Sequence, residues 1–188
     1  MISDKRQDIV STAYRLFRSD GYHAVGIDRI IAEAGVAKMT MYRHFRAKDD
    51  LIAEVLRSRA TRFDTQLDKL TASQPNARAR IGAIIGWYKR WFARADFHGC
   101  AFANAIAEFG DPDHPVFQAA AAQKSAFVAR LRSILSQELH DAEAKRLAMM
   151  VAMMFEGAVM QARISGTDEA VAALEAGTNA LLAQAAIA

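Results

Sequence analysis

Apolar residues recur along this chain every three or four positions, the spacing of an amphipathic helix. Ile9, Ala13, Leu16 and Phe17 form one stripe, with Gly21 placed as its C-cap and Ser3 or Asp4 as its N-cap. Ile27, Ile30, Ile31 and Ala34 give a second short helix, and Val36, Met41 and Phe45 give a third. Gly35 lies between them, where a tight turn needs a residue tolerant of positive φ. A longer helix is expected from about Asp49 to Leu70, about 30 Å at 1.5 Å per residue and long enough to serve as a lever. Further helices are expected near 77–94, 99–109, 115–139, 141–164 and 169–186. The breaks fall at Thr71–Asn76 and Gly110–Pro115, which hold the three prolines. No stretch alternates in the manner of a strand. The pattern predicts an all-α protein with a headpiece at 1–48 and a helical body at 49–188.

Two short helices hinged at a glycine, with a third before them, read as a helix-turn-helix at about 27–46. Met41 and Phe45 are one turn apart and point inward. Thr40, Arg43 and His44 then fall outside, flanked by Lys38 and Tyr42, with Arg46 and Lys48 just beyond. Three short helices make a marginal core alone, so the body must support them.

Charge sharpens this picture. Residues 1–62 hold 12 Lys/Arg and 8 Asp/Glu, whereas 63–188 hold 12 and 13. Lys38–Lys48 contains four basic residues and no acidic one. The whole-chain charge of +3 therefore understates the local field that binding to duplex DNA requires. The plain alternative is a solvated basic face.

The residues Ala13, Leu16, Phe17, Gly21, Tyr22, Ile27, Ile30, Ala34, Gly35, Val36, Lys38, Thr40, Met41, Tyr42, His44, Phe45, Lys48 and Leu51 resemble, in order and without a gap, the N-terminal pattern of the TetR family of bacterial transcriptional regulators. Four positions depart from that pattern. Gly26 and Ala37 stand where the family often has a hydroxyl cap, Met39 where Gly, Ala or Pro is common, and Ile31 where Ala is frequent. Carried over by position, the resemblance implies that Lys38, Met39, Thr40 and Arg43 meet base edges and nearby phosphates. Tyr42 and His44 would hold the DNA backbone, Lys48 would grip a phosphate, and Arg29 would reach the groove edge. A half-buried headpiece position is the plain alternative for Tyr42. Arg43 is the residue expected to read a base, with guanine the commonest partner of arginine.

The resemblance also implies a homodimer joined by the last two helices. Leu147, Met150, Val151, Met154, Phe155, Ala158 and Ala162 form one apolar stripe, and Val171, Leu174, Thr178, Leu181, Leu182 and Ala185 another. Part of each stripe must be internal core. The family's bodies commonly enclose an effector. An apolar pocket is therefore expected among Trp87, Trp91, Phe97, Phe127, Met150 and Met154, with Cys100, Asn104, Glu108 and Gln161 as its polar groups. Aromatic and methionine clusters are also ordinary core. Cys100, Asn104 and Glu108 share one helical face, and a subgroup of the family carries a similar arrangement with an electrophile- or oxidant-sensing thiol. A small buried residue is the plain reading of Cys100.

The expected function is a ligand-responsive repressor that binds a palindromic operator. Two other classes stand beside it. A helical-bundle enzyme would carry Glu-x-x-His pairs, His-Glu-x-x-His, a phosphate loop or Gly-x-Ser-x-Gly, and none of these occurs. An architectural DNA protein would have no need of so aromatic a body. No cofactor or metal is expected. One cysteine excludes an intramolecular disulfide framework, no run nears eighteen uninterrupted apolar residues, and no signal peptide is seen, so the cytoplasm is the expected compartment.

Overall fold

The computed structural model describes residues 4–187. They form α1 (Lys5–Asp20), α2 (Ile27–Ala34), α3 (Lys38–His44), α4 (Lys48–Thr71), α5 (Ala77–Phe92), α6 (Ala101–Phe109), α7 (Pro115–Leu135), α8 (Asp141–Ile164) and α9 (Thr167–Gln184). No strand occurs among the described residues, so the all-α expectation holds.

Caps explain several boundaries. Asp4 opens α1, its carboxylate accepting the amides of Arg6 and Gln7 at 3.1 and 3.4 Å. Ser3, the other expected cap, lies outside the described residues. Asn76 opens α5 by accepting Ala79 N–H at 2.9 Å. Helices α2 and α3 start at Gly26 and Ala37 with no side-chain cap. Gly35 closes α2 at φ 62° and ψ 38°, the left-handed conformation that its place between two helices demands.

The chain divides into two compact units. The first comprises the described residues up to Arg62 together with Cys100–Gln123. It extends beyond the expected 1–48 headpiece, taking in the start of α4, all of α6 and the start of α7. Its core joins Ile9, Leu16 and Phe17 of α1, Ile30 of α2, Met41 of α3, and Leu51, Ile52 and Leu56 of α4. Only Ile30 is fully buried on α2; Ile27, Ile31 and Ala34 are half-buried. Helix α6 is fastened at both ends to the loop after α1. The Tyr22 hydroxyl donates to Ala101 O at 2.9 Å, and the Glu108 carboxylate accepts Tyr22 N–H at 3.0 Å and His23 N–H at 2.8 Å. Phe109 stacks against His114 and tilts over His23, each at 4.7 Å between ring centroids.

The second unit comprises Phe63–Gly99 and the described residues from Lys124 onward. Its centre is an aromatic cluster. Tyr88 lies 4.7 Å from Phe155 and Phe127 5.3 Å from Phe155, with Phe63, Trp87 and Trp91 around them. Helix α9 packs on α8 and α5. Helix α7 ends at Leu135 rather than near 139. The reason is Glu138, whose carboxylate accepts Ala77 N–H at 2.8 Å and so caps α5 from outside it. Arg130 reaches Asp64 and Asp68 of α4, and Lys124 pairs with Glu156 at 2.7 Å.

Helix α8 is, by length and composition, apolar enough to cross a membrane, although no uninterrupted apolar run marks it in the sequence. Leu147, Val151 and Phe155 are buried inside the unit, and Glu156 is ion-paired. Packing within a protein accounts for that apolar character. The two apolar stripes expected at a dimer surface prove to be largely internal: Leu147, Val151, Phe155, Val171, Leu174, Thr178 and Leu182 are buried within the single chain. A different face of α8 is left open. Met149, Met153, Met160 and Ile164 follow at spacings of four, seven and four, and Met153 and Ile164 are 62% and 71% exposed.

Candidate nucleic-acid interface

Helix α3 is held from behind. Met41 is fully buried and Phe45, at its C-cap, nearly so. A seven-residue helix has little stability alone, so these two anchors and the turn at Gly35 fix its orientation. Helical geometry then decides what faces out. Met39 is 80% exposed, Tyr42, Lys38 and Arg43 are exposed, and Thr40 and His44 are half-buried. Met39 and Arg43 are four residues apart and share a face.

The basic residues differ in how free their charge is. Arg43 and Arg46 pair with no carboxylate among the described residues. Lys38 lies at the loose distance of 3.5 Å from Asp28, both side chains well exposed. Arg29 is held by Asp20 at 2.5 Å and Glu33 at 2.9 Å, and Glu33 is in turn held by Arg15 at 2.7 Å. Hydrogen bonds from Arg15 and Arg29 hold the Glu33 carboxyl below its ordinary value. The Arg29 guanidinium is thus engaged within the headpiece. Lys48 donates to His23 O at 3.2 Å, and burial lowers its ammonium from the usual lysine value against the opposing pull of Asp49 and Glu108. The sequence marked Arg46 only as a basic residue just beyond the helix; Asp49 and Asp50 follow it closely, and Asp50 accepts Ala47 N–H rather than pairing with Arg46.

The residues expected around an effector are more scattered. Trp87, Trp91, Phe97 and Phe127 meet in the aromatic cluster of the second unit, where Trp87 Nε1 donates to Gln66 at 3.1 Å. Met150 and Met154 are half-buried on α8. Gln161 is exposed beside Met160 and Ile164, outside the packed interior. Cys100, Asn104 and Glu108 belong to the first unit. Cys100 is a buried N-cap of α6, 8% exposed, and the Glu108 carboxylate is occupied by the Tyr22 and His23 amides. A cavity of about 130 Å³ lies between α5 and α9, lined by Arg78, Ile81, Ile85, Glu175, Thr178 and Leu182 among others. None of the expected pocket residues borders it.

Comparison with known proteins decides the family. Residues 9–55 match the model of the tetR family of bacterial regulatory proteins, and residues 77–177 match that of the tetracyclin repressor-like C-terminal domain. The chain belongs to the TetR family. A TetR-family transcriptional regulator from Streptomyces coelicolor, SCO4454, is 32% identical and superposes with a TM-score of 0.90 over 96% of this chain and 95% of that one. A TetR regulator from Streptomyces avermitilis is 25% identical, with a TM-score of 0.88 over 99% and 100% of the two chains. The transcriptional regulator SAB2452 of Staphylococcus aureus is 34% identical over 67 residues, so the match spans 36% of its length and 36% of this chain. Family membership makes α2 and α3 a helix-turn-helix and the protein a DNA-binding transcriptional regulator of the TetR family.

Proposed function

We propose that the protein is a homodimeric repressor that binds a palindromic operator and is released by a small-molecule effector. The observation that carries the DNA contact is the outer face of α3, where Arg43 and Arg46 stand exposed beside Tyr42 and Thr40 with no ion pair among the described residues. Met41 and Phe45 hold this face in place for the major groove. On this reading Arg43 reads a base. Tyr42, His44, Lys38 and Lys48 hold phosphates, and Arg46 adds a phosphate contact.

A second copy of the chain is the proposed occupant of the open face of α8. Two recognition helices must stand about 34–36 Å apart to reach successive major-groove turns, and one headpiece alone binds weakly. Met149, Met153, Met160 and Ile164 supply an apolar, adaptable surface for that pairing. The effector is proposed to act on the second unit, whose aromatic and methionine side chains suit a largely apolar molecule. It works through its difference in affinity between the DNA-bound and free forms. The burial of Cys100 favours this reading over a thiol sensor.

Selection of bound sequences from a random duplex pool, followed by fluorescence anisotropy against bulk competitor DNA, tests the proposal. A palindrome bound by two protomers and preferred over bulk DNA by about a thousandfold is the expected result. Binding lost equally to any DNA would overturn it.

A further inference from the structure

The outer face of α3 carries an oddity for a surface that meets a polar, charged partner. Met39, an apolar residue at the second position of the helix, stands 80% exposed on it. Ala37 has no polar side-chain atom, and Lys38, only loosely placed at 3.5 Å from Asp28, is assigned to a phosphate rather than a base. What Met39 itself offers a base edge is apolar and polarisable, with no hydrogen-bond donor.

In the major groove one base feature answers such a side chain, the C5-methyl group of thymine. Four residues later on the same face stands Arg43, whose planar fork suits the O6 and N7 acceptors of guanine. Four residues of helix rise about 6 Å, less than two base-pair steps of about 3.4 Å. The two side chains thus meet base pairs one or two steps apart.

We infer that Met39 determines specificity by reading a thymine methyl, one or two base pairs from a guanine read by Arg43, in each half of the operator. The inference rests on the proposal that α3 lies in the major groove, and adds to it the identity of the base features read. Met39 has no role in holding the headpiece together, so its replacement leaves the fold intact.

The test uses the full-length dimer and the sites it selects from a random duplex pool. Each thymine in the consensus is replaced in both half-sites by deoxyuridine, which lacks only the methyl group. Affinities are read by anisotropy for wild type, Met39→Ala and Arg43→Ala. At one thymine position, wild type is expected to lose about fourfold per half-site, the loss of one methyl from an apolar contact, or about fifteenfold for both. Met39→Ala is expected to show no loss at that position, while Arg43→Ala, where it still binds, keeps it. Met39→Gln is expected to move the preference at that position from thymine towards adenine, which an amide can pair. Two results overturn the inference. If deoxyuridine costs wild type less than twofold everywhere, or the same loss persists in Met39→Ala, the methyl reading fails while the DNA-binding reading stands. If no sequence is enriched at all, both fail together.

Discussion

Replacing Glu108 by alanine tests the bond between α6 and the headpiece. The Glu108 carboxylate accepts two backbone amides of the loop after α1, Tyr22 N–H at 3.0 Å and His23 N–H at 2.8 Å. A hydrogen bond to a charged group contributes about 1.5–3 kcal/mol net. The Tyr22 amide is part-buried and cannot fully recover its partner from water, so the larger share of the loss falls there. The His23 amide is exposed and regains a water, leaving about 0.5 kcal/mol. The expected destabilisation is about 2–3 kcal/mol, or a fall in Tm of about 5–10 °C for a chain of this size. Glu108→Gln keeps one acceptor oxygen and should fall between wild type and alanine. Urea denaturation gives the total, and amide hydrogen exchange localises it. Exchange at Tyr22 and His23 should quicken by at least about thirtyfold, the factor equivalent to 2 kcal/mol. A stability change under about 0.5 kcal/mol, or unchanged exchange at these two amides, would refute the reasoning.

Other perturbations probe separate parts of the molecule. Gly35→Ala meets no neighbouring atom, so backbone strain at φ 62° acts alone; a loss of about 1–2 kcal/mol is expected in thermal melts, and an unchanged Tm would exclude that strain. Met153→Lys places a charge on the open face of α8, and sedimentation should show monomers with DNA affinity reduced; persistence of a dimer would move the interface elsewhere. Burial already lowers the Lys48 ammonium, so DNA affinity should decline on the alkaline side ahead of ordinary lysine titration. Lys48→Arg, which stays charged, should hold its affinity, and identical pH profiles would remove Lys48 from the contact. The Asp141 carboxyl is held below its ordinary value by hydrogen bonds from Arg132. Its support is complete above the ordinary carboxylate range and lost as pH falls through the lowered value. The Tm difference between wild type and Asp141→Asn should therefore vanish in acid.

What the chain reveals on its own depends on range. The headpiece is legible because its signals are local: a stripe from Ile9 to Phe17, a glycine at 35, a cluster of bases after Lys38. The breaks at Pro75 and Pro112 are legible for the same reason. The end of α7 is not, because Glu138 leaves the helix to cap Ala77, 61 residues away. Arg29 looked free as a groove contact, yet Asp20 and Glu33 engage it once α1 and α2 pack. On α8 the doubled methionines at 149–150 and 153–154 mark two apolar faces at once. Periodicity shows that both exist, but only the neighbours of Val151 and Phe155 show which face is inside.

The first unit is assembled from two stretches of chain with the residues after Arg62 and before Cys100 belonging elsewhere. During synthesis the Tyr22 amide leaves the ribosome 86 residues before its partner carboxylate. At about 5–20 residues per second, that is a wait of roughly 4–17 s. Throughout it the helix-turn-helix lacks the helix that ties down its first loop. A nascent chain halted before residue 108 would therefore offer a headpiece with a loose loop after α1, and competence to grip DNA would wait for α6, although the residues proposed to read DNA are made before it.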